Sequence, residues 1–175
     1  MMLRYSLPDT IPTERLTLRQ PTPADLPAMV ALANNPKMPQ TTATLPFPFT
    51  EADGQDFLAK AADDPMMRAY AIAGADDEFI GVLLFKFEEG QRPEIGYWLG
   101  EPYWGQGFAA EALRGLVAAA RGLAGFERLT ARVLQANPAS VRVLEKAGFS
   151  IEERTVSVVE RHRGKPLFVM AWSAA

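Results

Sequence analysis

The sequence predicts an α/β (α+β) fold built on a mixed, mostly antiparallel sheet that carries packed helices. Short runs of alternating polar and apolar residues are interleaved with segments that begin with helix-start signals. Two neighbouring runs are joined by a hairpin turn at residues 74–77, which predicts antiparallel strands. The strand, helix and strand from Glu94 to Leu134 predict one parallel pair, because such a crossover joins parallel neighbours.

The first part of the chain predicts one strand and one helix after a lead-in. Residues 1–12 are predicted to be this lead-in, because two prolines interrupt any regular pattern. Arg15–Arg19 alternates with period two and predicts the first strand. Thr22 is a candidate N-cap with Pro23 at the first helical position, and the helix is predicted to end near residues 34–36.

A proline-rich segment separates this helix from the next one. Residues 36–49 hold four prolines and no clear period, which predicts a loop of a length that is usually functional or mobile. Thr50 and Asp53 have the spacing of a capping box and predict a second helix that continues to about Ala62.

The rest of the chain predicts six strands and two helices, with Gly148 as the glycine that ends the last helix. The predicted strands are 68–73, 79–87, 94–99, 128–134, 151–159 and 167–172, and the predicted helices are 107–122 and 137–147. The predicted order is therefore β-α-α-β-β-β-α-β-α-β-β, in one domain over residues 13–175.

Composition and charge exclude several classes of function. The net charge of -3 argues against a general nucleic-acid binder, which is usually basic. The chain has no cysteine and one histidine, so neither a thiolate nor a histidine-cluster metal site is predicted, and we expect no metal. No run is long and apolar enough for a signal peptide or a membrane span, so a cytoplasmic protein without a membrane partner is the default expectation.

The turn between the strand 94–99 and the helix after it is the most informative segment. It places the unpaired N–H groups of a helix N-terminus, with their partial positive charge, in front of a ligand. Gly105 and Gly107 let the backbone approach a bulky anion without a Cβ in the way. This segment therefore predicts a phosphate or pyrophosphate site.

Four segments of the chain resemble the GNAT superfamily of acyl-CoA-dependent N-acetyltransferases. The family loop Gln/Arg-x-x-Gly-x-Gly/Ala is present as Trp104-Gly105-Gln106-Gly107-Phe108-Ala109, and a second family motif begins at Asn137-Pro138-Ala139-Ser140. The segments 13–19 and 94–99 resemble the branch that includes ribosomal-protein N-terminal acetyltransferases. The resemblance covers residues 13–173 and implies a GNAT-like sheet with helices on both faces.

The resemblance implies that acetyl-CoA is the co-substrate and that the glycine turn holds its pyrophosphate. Two positions depart from the superfamily pattern: Trp104 replaces Gln or Arg, a replacement that resembles this branch, and Leu144 replaces a tyrosine that protonates the leaving thiolate in many relatives. The implied coenzyme-binding residues are Tyr97, Trp98, Leu99, Trp104, Gly105, Gln106, Gly107, Phe108, Ala109, Ala110 and Asn137.

Three residues are candidates for the chemistry, and each also has a structural interpretation. Glu94 is the candidate base, through water, or else a solvated charge at a strand end. Ser140 is the candidate acid toward the thiolate, in place of the missing tyrosine, or else a capping residue. Asn137 would bond the pantetheine arm or the amine, and it suits a helix N-cap equally well. His162 is a weaker candidate base in a polar turn.

The predicted function is acetyl transfer to a primary amine by direct attack in a ternary complex, since no cysteine is present to carry a covalent intermediate. A peptide N-terminal α-amine is the first choice of acceptor on the branch resemblance. An amino acid, polyamine or antibiotic is the alternative, and a catalytically idle acyl-CoA-binding domain is another. The acceptor pocket is expected between residues 36–49 and the last two strands. The oligomeric state stays open, with a homodimer among the alternatives.

Overall fold

Eight strands form one continuous sheet in this computed structural model, which describes residues 2–175. The strands are β1 (Ile11–Pro12), β2 (Thr17–Arg19), β3 (Met67–Ala73), β4 (Phe79–Lys86), β5 (Glu94–Leu99), β6 (Arg128–Leu134), β7 (Ser150–Val156) and β8 (Pro166–Ser173). Their spatial order is β1-β2-β3-β4-β5-β6-β8-β7. Every neighbouring pair is antiparallel except β5 and β6, so the predicted mixed, mostly antiparallel sheet is confirmed.

Helices cover both faces of this sheet, as the resemblance implied. They are α1 (Leu26–Ala33), α2 (Met38–Thr41), α3 (Glu51–Asp63), α4 (Phe108–Ala120) and α5 (Pro138–Lys146). Helices α1 and α3 pack on β3 and β4, whereas α4 and α5 pack on each other and on strands β1, β5 and β6. We call the two sides of the sheet the α1 face and the α4 face.

The alternation of side chains along the strands separates two hydrophobic cores. In β5, Ile95 and Leu99 point to the α4 face and join a large core with α4 and α5, while Trp98 points to the α1 face and joins a smaller core with Met29 of α1. This is the pattern that a period of two produces in a sheet that is covered on both sides. It fixes which face each residue of β5 can serve.

The N-terminal residues differ from the prediction of a lead-in over residues 1–12. A 3-10 turn at Leu3–Ser6 and the strand β1 lie within this range, and both Leu7 and Ile11 are buried in the larger core. The Arg4 guanidinium donates to carbonyl groups near the end of α3. A strand of two residues is too short to show periodicity, so local pattern reasoning missed it.

Three other boundaries differ from the predicted ones. The predicted loop 36–49 contains the short helix α2, and the first predicted helix begins as a 3-10 turn at Pro23–Asp25 before α1. Strand β7 ends at Val156 rather than at Val159, because Ser157 turns the chain by pairing its N–H and C=O with Lys165 and Gly164. The predicted capping box of Thr50 and Asp53 is confirmed at the start of α3.

Candidate active site

Strands β5 and β6 are joined only where they begin. Their one register pair is Glu94 with Thr130, and the Thr130 N–H donates to the Pro93 carbonyl at 3.0 Å. Beyond this pair the two parallel strands have no further register partner within residues 2–175. They therefore separate toward their carboxyl ends and leave a crevice, which is where open α/β sheets bind ligands.

The backbone of β5 presents donors to this crevice. The Pro93 carbonyl faces β6. The Gly100 N–H points to the other side of β5, where it donates to the Ile80 carbonyl of β4 at 2.9 Å. Backbone groups alternate in direction along a strand, so the N–H groups of Tyr97 and Leu99 face the crevice. The Leu99 carbonyl on the same side accepts a hydrogen bond from the Trp104 indole at 2.8 Å. The crevice thus offers two backbone donors to an extended substrate arm or to a developing oxyanion.

Trp98 is not brought to the crevice. By the same alternation its backbone faces β4, with which it pairs at Val82. Its ring packs edge-on against Phe79 with the ring centroids 5.9 Å apart, inside the smaller core. Of the three residues of β5 that the resemblance assigned to the coenzyme, Tyr97 and Leu99 are the two that line the crevice.

The glycine turn stands at the mouth of the crevice and leads into α4. Gly105 and Gly107 have φ angles of 73° and 82°, a conformation that residues with a Cβ rarely adopt. Helices α3 and α5 are capped by the side chains of Thr50 and Asn137, but Gly107 at the N-cap of α4 has no side chain to offer. The N–H groups of the first turn, residues 108–110, are therefore available to a ligand.

This turn fits a pyrophosphate. The helix start concentrates N–H donors and a partial positive charge at one point. An ideal Cβ on Gly105 would meet no atom within 4 Å, so the space beside this residue is open to a ligand. Glycine is needed at this position because of the positive φ angle and not because of crowding. The side chain of Gln106 folds back to donate to the Pro102 carbonyl at 2.9 Å, which leaves the backbone as the surface that the turn presents.

A hydroxyl pair lies on the α4 face of the crevice. The Tyr97 hydroxyl of β5 is 2.6 Å from Ser140 Oγ in the first turn of α5. Burial raises the pKa of the Tyr97 hydroxyl, with a smaller opposing effect from Ser140, so tyrosine keeps its proton. A phenol is a better donor than an aliphatic hydroxyl, so Tyr97 donates to Ser140 and leaves the Ser140 proton directed elsewhere.

Asn137 fixes the start of α5 and so positions Ser140. Its side-chain oxygen accepts the Ser140 N–H at 3.2 Å, which confirms the cap interpretation of Asn137. Leu144 follows one turn later and is 2% exposed in the larger core. The hydroxyl that accompanies Ser140 therefore comes from β5 and not from position 144 of the helix.

Glu94 lies on the other face of the sheet. Its side chain is on the α1 face, like that of Trp98 four residues later in β5. The Glu94 carboxylate forms an ion pair with Arg132 of β6 at 3.3 Å. The candidate base and the candidate acid thus lie on opposite faces of the sheet. Such an arrangement allows one face to admit the amine while the other receives the leaving group.

The predicted acceptor side is closed by contacts between two distant segments. The Arg161 guanidinium donates to the Thr42 carbonyl at 3.1 Å and to the Leu45 carbonyl at 2.7 Å. His162 is 3% exposed, and its Nε2 donates to the same Thr42 carbonyl at 2.9 Å while Nδ1 faces the Lys165 ammonium at 3.3 Å. The structure thus gives both ring nitrogens of His162 partners, which removes it as a base for the reaction.

A surface pocket of about 460 Å³ opens between the end of α1 and the segment that follows β5. Lys37 and Glu101 line it and form an ion pair, and the Asn35 amide donates to the same carboxylate at 3.3 Å. Lys37 holds the pKa of Glu101 below its usual range. This pocket begins at the N-terminal end of the segment 36–49 that was expected to border the acceptor.

Sequence reasoning missed three arginines that the structure places around the site: Arg15, Arg132 and Arg161. Arg132 lies opposite Glu94, Arg161 ties the segment 42–45 to the last turn, and Arg15 contacts the glycine turn. Each partner is more than thirty positions away, so no local pattern could reveal these contacts.

The described residues lack two features of other protein classes, a cluster of metal ligands and a membrane-spanning helix. Within residues 2–175, no three histidine, cysteine or carboxylate side chains are grouped as metal ligands would be. Over the same residues, no helix has both the length and the apolar character needed to cross a bilayer.

Comparisons with known proteins agree with this geometry. A family model described as an acetyltransferase (GNAT) domain matches residues 15–150. An uncharacterized N-acetyltransferase, p20 of Bacillus licheniformis, is 28% identical over 172 residues, which cover 94% of this chain and 95% of the relative. The ribosomal-protein-serine acetyltransferase of Escherichia coli is 35% identical over 79 residues, 44% of each chain.

Proteins of the same fold whose structures have been solved are named for different acceptors. The ribosomal L7/L12 alpha-N-protein acetyltransferase RimL, solved with coenzyme A, has a TM-score of 0.81 at 22% identity and covers 95% of this chain and 99% of its own. Spermidine N-acetyltransferase from Vibrio cholerae, solved with coenzyme A and spermine, has a TM-score of 0.78 at 20% identity and covers 91% of this chain and 96% of its own.

Proposed function

The chain belongs to the GNAT acetyltransferase family and is an acetyl-CoA-dependent N-acetyltransferase, and from this premise we propose that its acceptor is a peptide N-terminal α-amine. The transfer takes place by direct attack in a ternary complex. The residues that carry it are the glycine turn, the crevice-facing backbone of β5, Glu94, Asn137 and Ser140.

The coenzyme is held at two places. The N–H groups of residues 107–110 bind the pyrophosphate, and the backbone of Tyr97 and Leu99 pairs with the pantetheine arm, with Asn137 beside it. Trp104 borders the arm because its indole is anchored on the Leu99 carbonyl. Acetyl-CoA supplies the acyl group as a thioester, and positioning this group against the amine is the largest demand on the protein, worth up to about 7–11 kcal/mol.

Side chains on the two faces handle the protons. On the α1 face, Glu94 takes a proton from the attacking amine through water as the C–N bond forms. The N–H of Leu99 or Tyr97 stabilises the negative charge on the carbonyl oxygen. On the α4 face, Ser140 gives its proton to the sulfur as the C–S bond breaks, and Tyr97 supports Ser140 by its own hydrogen bond.

One observation favours a peptide over a polyamine as the acceptor: the charge of the acceptor side. The segment 36–49 carries a single charged residue, Lys37, which Glu101 neutralises, and the turn 157–165 carries Arg161, Arg163 and Lys165 against Glu160, so the turn is positively charged. A polycation would be repelled by this surface, whereas a peptide brings one ionisable amine, neutral when it attacks, and a chain of any charge. An α-amine also needs less help from Glu94 than a lysine, since its reference pKa is near 7.7–8.0 instead of about 10.4.

An acceptor panel with purified enzyme and acetyl-CoA tests the proposal. It contains peptides with a free N-terminus, the same peptides with a blocked N-terminus and a free lysine, free amino acids, an aminoglycoside and spermidine. We expect turnover of the free N-terminal peptides, with the acetyl group located on the α-amine by fragmentation mass spectrometry. Preferential turnover of spermidine, an amino acid or the aminoglycoside would overturn the proposed acceptor.

A further inference from the structure

Arg15 connects the segment before β2 to the glycine turn. Its Nε donates to Glu111 Oε1 of α4 at 2.6 Å, and its Nη1 donates to the Gln106 carbonyl at 2.9 Å. Its guanidinium lies over the Phe108 ring, 4.4 Å from the centroid. An ideal Cβ on Gly107 would be 3.3 Å from Arg15 Nη2. One side chain therefore contacts Gln106 and Phe108 and lies beside Gly107 between them.

Glu111 holds Arg15 in this position. Glu111 Oε2 accepts the Arg15 backbone N–H at 2.7 Å and the Thr13 hydroxyl at 2.6 Å. Burial would raise the pKa of Glu111, but the hydrogen bonds from Thr13 and Arg15 hold it below its usual value, so the carboxylate is charged. The arginine is thus anchored at its backbone and at its Nε, and its Nη1 is left for Gln106.

The hydrogen bond to Gln106 determines the direction of a donor in the coenzyme site. In a trans peptide the carbonyl and the N–H point in opposite directions in one plane. Gln106 C=O and Gly107 N–H belong to the same peptide, so the arginine that holds the carbonyl on one side turns the Gly107 N–H to the other. A charged donor on the carbonyl also polarises the peptide, which strengthens its N–H as a donor.

We propose that Arg15 is a positioning residue for coenzyme binding, which orients and polarises the Gln106–Gly107 peptide so that the Gly107 N–H meets the pyrophosphate. This inference rests on the proposed role of the glycine turn. Arg15 acts through the peptide and need not touch the coenzyme. A purely structural role, tying residues 13–16 to α4, would instead affect stability and all ligands alike.

The test compares acetyl-CoA with S-acetylpantetheine, which has the same thioester and pantetheine arm but lacks the pyrophosphate together with the 3′-phosphoadenosine. The change in the ratio of their kcat/KM values from wild type to variant therefore reports a loss confined to the nucleotide half of the coenzyme, which the turn is proposed to bind. The variants are Arg15→Met, which keeps the stem over Phe108 without a donor, and Arg15→Lys, which keeps the charge without the fork. Arg92→Met is the matched control. Arg92 also forms an ion pair, with Glu152, but it precedes β5 and so lies at the opposite end of that strand from the turn.

We expect Arg15→Met to bind acetyl-CoA about tenfold more weakly in calorimetry, equivalent to ~1.4 kcal/mol, and to leave kcat/KM for S-acetylpantetheine unchanged. Arg15→Lys should lose nearly as much, since one ammonium cannot reproduce the two directed bonds. The Gly107 amide resonance in the ligand-free protein should shift in both variants and stay in place in the control.

Three results would overturn the inference. One is unchanged acetyl-CoA affinity in folded Arg15→Met. Another is an equal loss for both acetyl donors. The third is full affinity in Arg15→Lys. Failure of the wild-type protein to bind acetyl-CoA would instead overturn the proposed role of the turn itself, so the two failures are distinguishable. Thermal unfolding of each variant verifies that it is folded, and the lysine variant remains informative if the methionine variant is not.

Discussion

Tyr97 contributes its hydroxyl to the site as well as its backbone. The resemblance placed it beside the coenzyme, and the structure adds a hydrogen bond of 2.6 Å to Ser140, 43 positions away. The sequence showed that position 144 lacks the family's tyrosine, and from this it suggested Ser140 as the acid. It could not show that a phenol from another element supports that serine, because strand and helix meet only in the folded chain.

The roles of the two hydroxyls can be separated by single substitutions. Ser140→Ala should lower kcat about a hundredfold, since it removes a general acid, and should leave acetyl-CoA affinity nearly unchanged. Tyr97→Phe should lower kcat by about fivefold, the value of one hydrogen bond of ~1 kcal/mol. Steady-state kinetics with the best acceptor measure both, and Ser173→Ala near the C-terminus is the control. Wild-type kcat in Ser140→Ala would remove Ser140 from the chemistry.

In the glycine turn, the effect of backbone strain on stability can be measured apart from the effect on acetyl-CoA binding. Gly107→Ala should cost about 1–2 kcal/mol of stability, because its φ of 82° is left-handed, and should weaken acetyl-CoA binding by moving Arg15. Gly122→Ala is the matched control, with a φ of 86° and no atom within 4 Å of its Cβ. It should lose similar stability and bind acetyl-CoA normally. Chemical denaturation and calorimetry measure the two quantities, and equal affinities would contradict our placement of the coenzyme.

At the scale of elements, the segment 36–49 shows how a predicted loop acquires a fixed position. Its prolines gave no period, and the sequence offered no reason for one conformation over another. The structure forms α2 within it and fastens residues 42–45 to the turn after β7 through Arg161 and His162. These bonds span more than a hundred positions, so only the assembled sheet brings the two elements together.

This attachment makes a prediction about the acceptor. Arg161→Ala removes the donors to Thr42 and Leu45, so the acceptor KM should rise about tenfold, since hydrogen bonds to a charged group are worth about 1.5–3 kcal/mol. The acetyl-CoA dissociation constant should stay constant, because the glycine turn is untouched. Arg161→Lys is the comparison: recovery of the wild-type KM would mean that charge alone matters and would contradict a role for the directed bonds.

At the scale of the whole molecule, the carboxylate of Glu111 joins the N-terminal segment to α4. It accepts hydrogen bonds from Thr13 and Arg15, nearly a hundred positions away, and is 8% exposed. Its pKa is held below the usual value. A lowered pKa in the folded state means that the charged carboxylate stabilises the fold above the unfolded pKa, near 4.3, and that this contribution is lost as the pH falls through the folded pKa.

The corresponding prediction concerns stability against pH. Glu111→Gln should lower the free energy of unfolding at pH 7, by about 1–3 kcal/mol if the charged hydrogen bonds are lost. The difference from wild type should shrink as the pH falls below about 4.3. Urea denaturation at several pH values measures it, with Glu14→Gln, the exposed neighbour of Arg15, as the control. A difference that does not change with pH would contradict the ionised state of Glu111.

The sequence by itself determined the order of the main strands and helices, the capping of α3 and α5, and the glycine turn, because each depends on residues within about one helical turn of each other. The tertiary structure alone decided that β1 packs against α4, that β5 and β6 part after Glu94, and that Glu94 and Ser140 lie on opposite faces. It also decided that Arg15 reaches the turn. These features are pairings between distant segments, and their energies come from burial and hydrogen bonds that exist only after the chain has closed on itself.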